Sequence, residues 1–88
     1  MKRIHLRGVI DRAARVNEND TQQTKSALGE LGYYKTPGYG MTSYPDEPMF
    51  DGIKKYQRDN KLRVDGVMKP GGETERTLGV HLAASPTF

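Results

Sequence analysis

IKKYQRDNKLRVDG, residues 53–66, decides how this chain folds. Ile53, Tyr56 and Gln57 recur at the three- and four-residue spacing of one helical face, and Phe50 extends that face upstream. Lys54, Lys55, Arg58 and Asp59 fall on the solvent side. Asn60 is a helix stop. Beyond it Leu62 and Val64 alternate with Lys61, Arg63 and Asp65. That short extended run ends in an Asp65-Gly66 turn, in which the aspartate accepts backbone N–H groups and glycine takes positive φ.

Upstream, Pro45-Asp46-Glu47-Pro48 opens this helix. Proline suits a first turn, where its missing N–H has no partner to lose. Asp46 and Glu47 face the positive end of the helix dipole. Before them a loop runs over residues 32–45, punctuated by Pro37-Gly38 and Tyr39-Gly40. Structureless loops of this length are uncommon in small domains unless they have a role; a short extended pair, 33–35 against 41–43, is expected here. An earlier helix is predicted over about 21–31, capped by Asn19 or Asp20. Thr24, Ala27, Leu28 and Leu31 point inward, and Gly32 is the left-handed stop.

Downstream, Pro70-Gly71-Gly72 is a turn into a third helix over 73–79, with Thr74, Thr77 and Leu78 inward. Residues 80–88 read as a frayed tail from which Val80 and Leu82 could pack back. At the other end, Val9, Ile10, Ala13 and Val16 fit one helical face. They predict a short helix near 8–16 inside a basic extension, residues 1–16.

The whole string, ALGELGYY, a loop, IKKYQRDNKL, RVDG, a proline turn and ETERTL, resembles the peptidoglycan-binding-like domain, a three-helix module often attached to cell-wall hydrolases. The matching residues are Leu28, Leu31, Gly32, Tyr33 and Tyr34, then Ile53, Tyr56 and Gln57, then Leu62, Val64, Asp65 and Gly66, and last Thr74 and Leu78. The likeness spans about residues 17–79. Phe50 stands where the family usually has threonine, Gly52 where it has alanine, and Tyr56 where it has phenylalanine. The loop is also longer than usual. The resemblance implies a mainly α, three-helix bundle around Leu28, Leu31, Ile53, Tyr56, Leu62, Val64 and Leu78. It further implies a non-catalytic module with peptidoglycan as its ligand. The rival expectation is a cytosolic or phage-derived adaptor or inhibitor that uses the same scaffold for protein contact, because fold does not fix function.

Composition agrees with a binding module. Eighty-eight residues make at most one domain. A chain so short buries only about 60–65% of its unfolded surface, and with no cysteine it has no disulfide to reinforce it. His5 and His81 lack a second ligand at metal spacing, so neither metal nor cofactor is expected. No nucleophile stands with an orienting base, and no phosphate-binding glycine motif occurs, which argues against an enzyme. Charged residues interrupt every apolar run before it reaches signal-peptide or membrane-span length. The chain is therefore expected to be cytoplasmic as synthesised, and wall-associated if delivered by another route. Net charge is +3. The base excess is N-terminal: Lys2, Arg3, Arg7, Arg12 and Arg15 against Asp11. It suits an anionic partner. Nucleic acid is disfavoured, since the third helix offers only Arg76 beside Glu73 and Glu75.

Tyrosines are the site candidates. Tyr33 and Tyr56 are expected in the core. Tyr34, Tyr39 and Tyr44 exceed what so small a core needs, and a ring can offer an apolar face and a hydroxyl to a sugar or stem peptide. These three and Gln57 form the ligand-binding candidate set, with Gln57 also expected to bond loop backbone.

Overall fold

The computed structural model describes residues 4–84, so Lys2, Arg3 and the end of the expected tail lie outside it. Three helices follow in order: α1, Glu18–Glu30; α2, Glu47–Asp59; α3, Glu73–Ala84. Among the described residues there is no strand, only an isolated antiparallel bridge between Ile10 and Met68.

Helices α1 and α2 are fixed at their ends by local chemistry. The α1 cap is Asn17, whose side chain accepts from the Asp20 N–H; Asn19 and Asp20, the expected caps, lie inside the helix. Asp46 caps α2 by accepting from the Met49 N–H. Both helices end in the same way. Gly32 N–H bonds Gly29 O and Tyr33 N–H bonds Leu28 O, while Lys61 N–H bonds Arg58 O and Leu62 N–H bonds Gln57 O. In that motif the residue after the cap is left-handed. Gly32, with φ of 86°, takes that conformation freely, whereas Lys61, with φ of 58°, takes it as a side-chain-bearing residue. Helix α3 runs through the expected tail to Ala84, because Leu82 sits one turn beyond Leu78 and packs with it in the core.

The α2 face forms as read: Phe50, Ile53, Tyr56 and Gln57 are all buried. Leu28 and Leu78 are core too, but Leu31 and Leu62 are only half-buried at its edge, and Val64 is half-exposed. The 61–65 segment has no strand partner to enforce alternation, so Val64 turns outward. Met49 and Met68, both fully buried, take core positions that the sequence reading left empty.

Helices α1 and α2 meet closely at Gly52. A Cβ there would lie 2.5 Å from the Tyr33 carbonyl oxygen and 3.4 Å from a Leu28 methyl. This explains glycine where the resembling family has alanine.

Residues 8–16 are not helical. The operative period is two: Ile4, Leu6 and Ile10 are buried, while His5, Arg7 and Val9 are exposed. The extended arm is gripped by side chains. Gln23 accepts from His5 N–H at 2.8 Å and donates to His5 O at 3.1 Å. Glu75 accepts from Leu6 N–H at 2.7 Å. Asp20 accepts from the Arg7 and Gly8 N–H groups. Ile10 and Met68 exchange two main-chain bonds of 2.8 and 2.9 Å. Asp20 is wholly buried and Glu75 nearly so, so the arm supplies the donors those carboxylates require.

Two stability measurements follow. Leu6→Ala should destabilise the protein by about 2–5 kcal/mol, as a core deletion does, where a solvated arm would give almost nothing; urea unfolding decides. Gly52→Ala should lower the melting temperature, equivalent to about 1–3 kcal/mol of overpacking, although helix propensity alone favours alanine.

Candidate functional site

The 33–46 loop is organised by one buried cation. Thr21, Thr24 and Leu28 place their side of α1 inward, and Lys25 lies on it, fully buried. Its Nζ donates to Thr42 O at 3.1 Å, Thr42 Oγ1 at 3.0 Å and Tyr44 O at 2.7 Å. It also pairs with Asp46 Oδ2 at 3.1 Å. The expected 33–35/41–43 pair does not form: the loop carbonyls point at an ammonium instead of at each other.

Asp46 gathers the other contacts. Beyond capping α2, its Oδ2 accepts from Tyr34 OH at 3.1 Å and Tyr39 OH at 2.7 Å. Burial alone would raise this carboxyl. Hydrogen bonds from Tyr39, the Met49 N–H, Lys25 and Tyr34 outweigh burial and hold it below its ordinary value. The same contacts act on the phenols. Burial first, then the bond to Asp46, pushes Tyr34 up to about 12. Tyr39 is raised chiefly by its bond to Asp46.

The tyrosines thus divide differently from expectation. Tyr34 is buried and half-buried Tyr33 lies at the core's edge, the reverse of their expected roles. Tyr33 donates to Asp59 at 2.8 Å and meets Tyr56 edge-on at 5.3 Å. Tyr56 is 1% exposed and shares a 2.5 Å hydrogen bond with His81 Nδ1. Tyr39 and Tyr44 project, 64% and 66% exposed, with half-exposed Met41 between them in the loop. Tyr34 and Tyr39 converge on Asp46; Tyr44 joins them through its main chain, held by Lys25.

Gln57 does not join this group. It is fully buried and its amide is saturated: Nε2 faces Asp65 Oδ1, Val67 O and Thr74 Oγ1 at 3.0 to 3.1 Å, and Oε1 accepts from the Asp65 and Gly66 N–H groups. It ties the Asp65-Gly66 turn and the start of α3 to α2, as the backbone-bonding expectation had it.

Beside Tyr44 the surface opens into a cleft of about 690 Å³, lined by Arg15, Val16, Asn17, Glu18, Tyr44 and Pro45 along with Ala14. The sequence reading named neither Lys25 nor this cleft. A lysine set between Thr24 and Leu28 on an inward face was the visible signal for the first. The second unites 14–18 with 44–45, which only the fold brings together.

Among the described residues no group of three His, Asp or Glu side chains could hold a metal ion, and no helix is long and apolar enough to cross a membrane.

Three helices with these turns define the class, and comparison gives its family. Residues 17–77 match the family described as "Putative peptidoglycan binding domain", and the chain belongs to that family. No curated protein and no solved structure matches it significantly.

The pH response of the contacts around Asp46 can be measured. The folded Asp46 value lies below the unfolded one, so its contribution to stability is complete above about pH 4 and is lost as pH falls through the folded value. Tyr34 is raised, so its contribution is complete below about pH 10 and is lost as pH rises through about 12. Asp46→Asn should flatten the acid limb of the stability curve, and Tyr34→Phe the alkaline limb, both followed by circular dichroism.

Proposed function

We propose that the protein is a non-catalytic binding module that recognises peptidoglycan at the edge of the 33–46 loop, with Tyr39 and Tyr44 as the contacting rings. Family membership supports the ligand class. The observation that carries the site is two exposed tyrosine rings on a loop whose main chain is pinned from beneath by Lys25. A loop main chain already held in place gives up little freedom on binding, so contact by the rings it carries appears as affinity. Each ring offers an apolar face to the C–H face of a sugar or to a stem-peptide side chain; Tyr44 adds a hydroxyl at its rim, while that of Tyr39 is bonded to Asp46. Tyr34 and Gln57 act here as supports: Tyr34 orients Asp46, and Gln57 ties the Asp65-Gly66 turn and the start of α3 to α2. The working place is the cell wall, where such a module raises the local concentration of whatever it accompanies.

The rival reading, a protein-contact adaptor or inhibitor on the same scaffold, is favoured by half-exposed Val64 and two-thirds-exposed Val80, apolar residues outside the loop. A pull-down of the full chain with purified, protein-free sacculi separates the two. Retention is expected, with Tyr39→Ala and Tyr44→Ala each weakening it about five- to tenfold while the melting temperature stays within a few degrees. Absence of retention, or retention indifferent to both substitutions but lost in Val80→Asp, would move the function to the rival class.

A further inference from the structure

The cleft beside Tyr44 carries charges of both signs. Arg15 and Glu18 line it from 14–18, facing Tyr44 and Pro45 from the loop. Arg15 is exposed and makes no ion pair among the described residues. Glu18 accepts one hydrogen bond, from Ser43 Oγ at 2.8 Å, and likewise has no cationic partner there. That bond ties the Glu18 carboxylate to the loop beside Tyr44. Two opposite charges share a lining without pairing, while Val16, Pro45 and the Tyr44 ring supply apolar wall. A ligand that meets all three chemistries has a carboxylate, an ammonium and a short aliphatic chain.

We infer that this cleft takes the free α-amino-acid end of a diamino acid in the peptidoglycan stem, an inference that rests on the peptidoglycan reading above. Arg15 receives the carboxylate, for which the planar guanidinium offers paired N–H donors. Glu18 receives the ammonium. Tyr44 and Val16 cover the methylenes between that end and the peptide. A stem carrying diaminopimelate presents this zwitterion. A stem carrying lysine presents the ammonium without the carboxylate, and leaves Arg15 unmatched. The cleft therefore selects between wall types by one charged group, and the selection is modest because both charges are hydrated.

The test titrates the full chain with two synthetic stem tripeptides that differ only in the third residue, diaminopimelate or lysine, by calorimetry and by backbone amide shifts. Sacculus retention is measured alongside. The diaminopimelate peptide is expected to bind about five- to tenfold tighter, with shifts centred on Arg15, Glu18 and Tyr44. Arg15→Ala should bring it down to the level of the lysine peptide, and Glu18→Gln should weaken both peptides alike. Melting curves establish that each variant is folded. Equal affinities, a preference that survives Arg15→Ala, or shifts elsewhere on the molecule, with sacculi still retained, would overturn this assignment and leave the peptidoglycan reading standing. Sacculi not retained, and neither peptide bound, would overturn both.

Discussion

A single buried ammonium organises the loop side of this molecule. Lys25 enters the interior on an inward face of α1 and meets two main-chain carbonyls, a threonine hydroxyl and the Asp46 carboxylate. Removing a charge from water is costly unless partners surround it. Here the partners come from the loop and from the cap of α2, so the loop has one arrangement that satisfies the cation. The Tyr34 and Tyr39 hydroxyls close the same ring of contacts from the other side of Asp46. A loop rich in glycine and proline, with no strand to brace it, is thereby given a defined shape. The projecting rings of Tyr39 and Tyr44 inherit that shape.

The remainder is held by a second set of buried polar groups. Gln57 joins α2 to the Asp65-Gly66 turn and α3. Asp20, Gln23 and Glu75 join the arm to α1 and α3. So small a core supplies limited apolar burial. Saturated polar contacts with defined geometry fix which of several compact packings is adopted.

The helices were legible because their signals are local. Proline and aspartate at the start of α2, glycine after α1, and the Phe50–Ile53–Tyr56–Gln57 face all act within a turn or two of themselves. Family membership was legible from the same strings. What escaped was non-local. The arm satisfies a helical spacing through Val9, Ile10, Ala13 and Val16, yet Ile4, Leu6 and Ile10 are the buried set; the choice depends on Asp20 in the next helix and on Glu75, 69 positions beyond Leu6. Tyr33 and Tyr34 are adjacent and chemically identical, so only the direction in which the chain leaves α1 decides which ring goes inward. The cleft likewise joins segments that are distant in sequence, while Gln57 was readable in part because a buried amide must find partners.

The hydrogen bond from Leu6 to Glu75 joins residues 69 positions apart. Contacts of that separation form slowly, since the chain entropy between them is surrendered before the contact rewards it. On a ribosome the arm is made before its receptor, Met68 and Glu75. The arm's contacts to Asp20 and Gln23 can form once α1 exists, but its seam with Met68 and Glu75 closes only after α3 has been made.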